Sequence, residues 1–230
     1  MEFIKASKTF YLNKSTYVNL RWIAIIGQLI TIFFVQFFLN FKFNYFTCIF
    51  IISLSVLTNF YLQFRFKENQ LNNFFSTVYL SFDILLLGIL FFLTGGITNP
   101  FIFLIIVPAV FSSQYLNIYS SIILVSLIIL ILTILTFYYI DLPHPSESHF
   151  HAPDYYLFAI PISIIIGLLF LVYFGVKFGE ENRTRKNAYD KIQELMAKEN
   201  ELISLGAQSA TAAHSLGTPL STILLTIKEL

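Results

Sequence analysis

The strongest constraint on this chain is a succession of apolar runs between residues 22 and 175, each close to the length a helix needs to cross a lipid bilayer. One crossing takes about 20 mainly apolar residues at about 1.5 Å of rise each. Segments near 22–39, 45–62, 78–94, 101–116, 120–140 and 156–175 approach that length, which predicts an all-α membrane protein with about six transmembrane helices. The fourth is short and contains Pro108, so a re-entrant hairpin is the alternative for it. With 57% hydrophobic residues and a mean hydropathy of +0.74, the chain holds more apolar surface than a soluble core of this size could bury.

The distribution of Lys and Arg predicts the orientation. Lys5, Lys8, Lys14 and Arg21 precede the first run, Arg65 and Lys67 follow the second, and Lys177, Arg183, Arg185 and Lys186 follow the sixth. The opposite loops hold Lys42 alone, since 95–100 and 141–155 contain no Lys or Arg. The positive-inside tendency therefore places both termini in the cytoplasm. A net charge of +1 with no basic stripe gives no reason to expect a nucleic-acid partner. The single cysteine, Cys48, excludes an internal disulfide and a thiol metal site. The first run lacks a small-residue cleavage pattern after it, so it is expected to stay as an anchor.

Beyond residue 176 the sequence turns polar. Ala188, Ile192, Leu195, Glu199, Leu202 and Gly206 follow one another at alternating three- and four-residue spacing, the seam of a coiled coil. The same count continues through Ser209, Ala213, Leu216, Leu220, Ile223, Ile227 and Leu230, so one helical register can run to the end of the sequence as a parallel homodimer. His214 then falls one position outside the seam, where a second protein can reach it. Pro219 has no amide hydrogen to give the Ser215 carbonyl, which predicts a bend beside His214.

The stretch GAQSATAAHSLGTPLSTI resembles the dimerisation and phosphotransfer box of sensor histidine kinases, most of all the RegB/PrrB redox-responsive group. RWIAIIGQ at the start of the first run and the six-span plan resemble the same group. The resemblance implies that His214 accepts the γ-phosphoryl group of ATP and passes it to an aspartate of a response regulator. It implies that Thr218 positions the water for dephosphorylating that regulator, with Pro219 completing the Thr-Pro pair. Ser215 stands where the family has an acidic residue, and a hydroxyl is a poor general base near neutral pH. Slow or absent kinase activity is the expectation from that departure, and a catalytically impaired sensor that only regulates partners is the alternative reading. A small polytopic permease is a third; it would need paired charges or broken helices at the bilayer midplane.

A second motif, GGITNPF at 95–101, is similar to the GGxxNPF segment that the RegB/PrrB group uses for ubiquinone. Its residues also make sense by themselves. Gly95 and Gly96 can end a helix with positive φ, and Asn99 can cap the next with Pro100 at its first position. Free amides near Phe101 and Ile102, with the Asn99 side chain, could then donate to a quinone carbonyl while Phe101 or Phe103 packs on the ring. A plain interhelical turn is the competing account.

Together these readings divide the chain into a cytoplasmic segment 1–21, a six-helix transmembrane sensor 22–175, a coiled-coil signalling linker 176–205 and the start of a dimerisation and histidine phosphotransfer domain at 206–230. The expected setting is the bacterial inner membrane, in contact with its lipids. ATP would be bound by a catalytic domain that these 230 residues do not contain. Asp83, inside the third run, is expected to make a polar packing contact, with signal coupling as the competing role. His144, His149 and His151, with Asp141, Glu147 and Asp154, read as a solvated loop with no metal site.

Overall fold

A computed structural model describes residues 11–65, 70–142 and 153–228. The first helix, α1 (Lys14–Phe33), starts earlier than the apolar run because Asn13 caps it, its Oδ1 accepting from the Ser15 and Thr16 amides. A π-helical turn over Phe34–Phe38 extends it. Helices α2 (Tyr45–Arg65) and α3 (Asn73–Leu93) follow. A two-stranded antiparallel ribbon, β1 (Tyr11–Asn13) and β2 (Gln70–Asn72), ties the start of α1 to the start of α3, with Leu12 opposite Leu71 and both buried. Hydropathy alone gave no sign of this ribbon.

Among the described residues, five helical stretches are long and apolar enough to cross a membrane: Lys14–Phe38, Tyr45–Phe64, Asn73–Leu93, Ile118–Phe137 and the one beginning at Tyr155. The expected fourth span differs in form from a single long α-helix. Residues 101–116 form a 3-10 stretch, Ile102–Ile106, followed by the short helix α4 (Val107–Tyr115), an apolar segment shorter than the other five. Pro108 lies in the first turn of α4, where its missing N–H costs nothing, so the α-helix restarts there. Helix α5 (Ile118–Phe137) is capped by Asn117, which accepts from the Ser120 amide, and α6 runs unbroken over Asp154–Lys228.

Two compact units are present, residues 1–179 and 180–230. In the first, the core is mainly apolar and so is the outside, while several polar side chains are buried. Ser76, Ser112, Ser113, Ser120 and Ser121 are buried, while Ile23, Phe38, Phe46, Phe64, Leu130 and Phe170 face outward. Lipid tails are as apolar as leucine, so association of such helices relies on close packing and interhelical hydrogen bonds. The Thr77 hydroxyl donates to the Ser120 hydroxyl at 2.7 Å, linking α3 to α5. Glycines let α6 approach α4: a Cβ added at Gly175 would lie 1.9 Å from the Ser113 Oγ, and one at Gly179 would lie 2.5 Å from the Gln114 carbonyl oxygen. The second unit is polar helix with exposed ion pairs, Glu181 with Arg185 and Glu194 with both Lys191 and Lys198. Hydrogen bonds from Lys198 and Lys191 hold the Glu194 carboxyl down at about 2.

Because Gly179 meets backbone, which cannot swing aside, Gly179→Leu should cost about 1–3 kcal/mol of stability. Gly167→Leu, where an added Cβ meets nothing within 4 Å, should change it by no more than about 0.5 kcal/mol. The temperature at which the buried Cys48 becomes reactive to a maleimide in nanodiscs reads both effects, since it is the only thiol in the sequence.

Candidate functional site: a buried ion-pair network and the cavity beside it

The early start of α1 decides the site. Tyr17 and Arg21 lie four residues apart and so share one face of that helix, directed at α2 and α3. Arg21 Nη2 donates to Asp83 Oδ1 of α3 at 2.7 Å and to Thr58 Oγ1 of α2 at 2.7 Å. The Tyr17 hydroxyl donates to the other Asp83 oxygen at 2.5 Å, and the Arg21 guanidinium lies 5.6 Å from the centre of the Tyr17 ring. On α2, Asn59 is buried and its side chain donates to the Val18 carbonyl of α1. The Arg21 side chain is 5% exposed and that of Asp83 18%. An isolated charge at this depth is costly, and pairing with shared hydrogen bonds is what makes either tolerable.

Asp83 thus makes the polar packing contact expected of it. Arg21 was expected in the segment before the first span, as one of the basic residues anchoring the cytoplasmic side; the structure instead makes it the buried counterion of Asp83. The available signal was an intramembrane carboxylate that required a partner, with an Arg at the edge of the first apolar run. Among the described residues, Arg21 Nη1 is buried without a hydrogen-bond partner.

A cavity of about 920 Å³ extends from this network along α1 and α3 to the turn after α3. Its wall includes Arg21 and Asp83 at one part and Asn99, Pro100 and Phe101 at another, with mainly aliphatic and aromatic side chains between them. The two parts are joined by one helix: α3 runs ten residues, about 15 Å, from Asp83 to its end at Leu93, just before the turn.

The turn itself is tightly built. Gly95 has φ 112° and Gly96 φ 54°, the left-handed conformations expected of them. A Cβ would also collide at both, 2.5 Å from Leu142 Cδ1 at Gly95 and 2.3 Å from Tyr139 Cβ at Gly96. Asn99 is buried; its Nδ2 donates to the Thr94 carbonyl at 2.8 Å and to the Thr94 hydroxyl at 2.9 Å, and its Oδ1 accepts from the Phe101 amide at 2.8 Å. The Ile102 amide donates to the Asn99 carbonyl at 3.0 Å. The free amides expected at Phe101 and Ile102 are therefore corrected: both bond within the turn, as does the Asn99 side chain. The cap also sits differently, since the following helical stretch begins at Ile102 with Phe101 before it. Phe101 and Phe103 are exposed.

His214 is exposed on α6, which stays helical through Pro219. The Ser215 hydroxyl donates to the Ala212 carbonyl at 2.9 Å, a bond within its own helix. Thr218 is helical, and its side chain lies outside what is described. Seam residues Ile192, Leu195, Leu202, Leu216, Leu220, Ile223 and Ile227 are all exposed on this single chain. His144, Glu147, His149 and His151 lie outside the described residues.

The fold and these two sites define a helical membrane protein with several spans, whose last helix carries an exposed histidine. Over 216 residues, 94% of its length, the chain is 35% identical to Sensor histidine kinase RegB of Cereibacter sphaeroides, and two such sequences match to the same extent. The similarity read from the two motifs thus extends over nearly the whole chain. The chain spans about half the length of these relatives, 47%. No family model matches, and no solved structure matches.

The buried pair gives a direct prediction. Asp83→Leu leaves the Arg21 charge without its partner and should cost about 3–5 kcal/mol, whereas Arg21→Met combined with Asp83→Leu should recover most of that loss. Thermal unfolding followed at Cys48 should show the single variant melting well below both the parent and the double variant.

Proposed function

We propose that this chain is the membrane sensor and phospho-acceptor part of a two-component histidine kinase, homodimeric through α6, that phosphorylates His214 from ATP and passes the phosphate to a response regulator. The observation that carries this reading is the similarity to Sensor histidine kinase RegB over 94% of the chain, together with the His-x-x-x-Thr-Pro spacing of residues 214–219. The exposed apolar seam of α6 supports the dimer, because a stripe of Leu and Ile on an otherwise polar helix is what a coiled-coil partner covers. Both termini lie in the cytoplasm of a bacterial inner membrane in this reading, which puts the basic ends of the bundle on that side.

The ligand sensed is a quinone. A lipid-soluble ring with an isoprenoid tail needs a cavity that is apolar along most of its length and polar at a few points, and the cavity between α1, α3 and the GGITNPF turn has that character. Its volume of about 920 Å³ is ample for a quinone head group and the first part of its tail. Phe101 and the Asn99–Pro100 turn form part of the wall in this reading, with the two glycines fixing the turn.

A second reading, a sensor impaired in catalysis, draws on one observation: Ser215 follows the histidine and its hydroxyl is engaged with Ala212. A serine cannot take up the imidazole proton at neutral pH as a carboxylate would.

Two outcomes are expected. With an ATP-binding kinase domain of this class supplied, label from γ-labelled ATP should appear on the chain and vanish in His214→Gln, and Ser215→Glu should raise the initial rate by about 100-fold, the lower end of general-base assistance. Label that persists in His214→Gln would sink the assignment. For the sensed ligand, decyl-ubiquinone titrated into quinone-free nanodiscs should give saturable quenching of Trp22, the single tryptophan. A signal that only rises in proportion to quinone partitioned into the bilayer would remove quinone from the reading.

A further inference from the structure

The cavity has two polar regions, and their hydrogen-bonding capacity differs. At the turn, the Asn99 side chain and the Phe101 and Ile102 amides all bond internally. At the other region, Asp83 keeps 18% of its side chain accessible, both its oxygens are set by neighbours, and Arg21 Nη1 has no partner among the described residues. A buried guanidinium nitrogen with donors to spare is a costly feature unless something accepts from it. The residues that could engage a ligand are therefore those of the ion-pair network.

The network also restricts the ligand's charge. Arg21 and Asp83 cancel, and Tyr17 and Thr58 add neutral groups around them. An anionic head group would leave a net negative charge beside the Asp83 carboxylate in a largely apolar cavity, with Coulomb repulsion weakly screened. A neutral head group meets no such opposition. A carbonyl would accept from Arg21, and a hydroxyl would donate to the accessible Asp83 carboxylate.

We infer that the head group of a neutral, lipid-soluble ligand is held by Arg21 and Asp83, about 15 Å along α3 from the end of that helix at the GGITNPF turn, and that the turn lines the part of the cavity taken by the tail. This rests on the quinone reading and places the ring within it. The same two residues then distinguish the oxidised from the reduced form, since a quinone offers acceptors to Arg21 and a quinol offers donors to Asp83. The ion pair joins α1 to α3 and, through Thr58, to α2, so a ligand that draws on either charge alters how three helices are tied together.

The test uses the full chain in quinone-free nanodiscs, with decyl-ubiquinone read by quenching of Trp22, the neighbour of Arg21, and with palmitate as the anionic comparison. Arg21→Met with Asp83→Leu removes both head-group partners while leaving no lone buried charge, and Cys48 protection confirms that it is folded. Its affinity should fall by at least about tenfold, while Asn99→Ala with Phe101→Ala should lose only a few-fold, the loss of wall contact. Palmitate should not displace the quinone. An equal or reversed ranking of the two variants would overturn the head-group placement with quinone binding intact. Displacement by palmitate would overturn the neutral-ligand assignment. Absence of saturable binding in the parent chain would instead defeat the quinone reading itself. Where Cys48 protection is lost in the double variant, Arg21→Gln with Asp83→Asn takes its place: the two shorter amides can bond each other but offer a ligand neither a guanidinium nor a carboxylate, and the variant must show the same ranking.

Discussion

The ion pair between Arg21 and Asp83 is the constraint around which the membrane unit is arranged. Two opposite charges in a bundle whose outside is apolar can be tolerated only in contact, and contact here means 2.7 Å. That distance sets the depth of α1 relative to α3. The bond from Arg21 to Thr58 adds α2 to the same arrangement, and the Tyr17 hydroxyl closes the carboxylate from the other side. A shift of one helical turn in α1 would separate the charges and leave both buried.

The other polar groups buried in this mainly apolar bundle find partners within it. Thr77 and Ser120 bond across α3 and α5, while Ser112 and Ser113 turn their hydroxyls onto carbonyls of their own helix and stay small enough for α6 to come close. Gly175 and Gly179 complete that approach, since a side chain at either would strike α4. The shortness of the segment 102–115 belongs to this picture. Its 3-10 start and the restart at Pro108 put Leu104, Val107, Pro108 and Phe111 on the wall of the cavity, where a straight span would have presented a regular helical face.

The parts of this arrangement that were legible in the sequence are those fixed by local chemistry. Long apolar runs gave the spanning helices, because backbone groups in lipid have no partners but their own. Gly95 and Gly96 gave a turn, because only glycine adopts positive φ with no steric cost. Asp83 announced a contact. Its partner was hidden because Arg21 stands at the edge of an apolar run, where basic residues usually anchor a helix at the membrane surface, and only the Asn13 cap shows that the helix had already begun. The ribbon of Leu12 and Leu71 was hidden because three-residue strands carry no periodicity to read. The state of the amides at 101 and 102 depends on where Asn99 turns its carbonyl, which is a matter of rotamer and not of residue type.

Along α6 the same chemistry separates what His214 has from what it lacks. Hydroxyls on this helix bond to carbonyls three or four residues back: Thr211 to Ala207, Ser215 to Ala212 and Ser221 to Gly217. Such bonds satisfy the side chain within its own turn and leave it no role in removing a proton from a neighbouring ring. Histidine becomes a nucleophile through a nitrogen lone pair, and the opposite ring nitrogen must shed or share its proton as the phosphoryl bond forms. In this chain that proton has no carboxylate at position 215 to move towards. In the proposed reaction Ser215, its hydroxyl engaged with the Ala212 carbonyl, does not supply that acceptor.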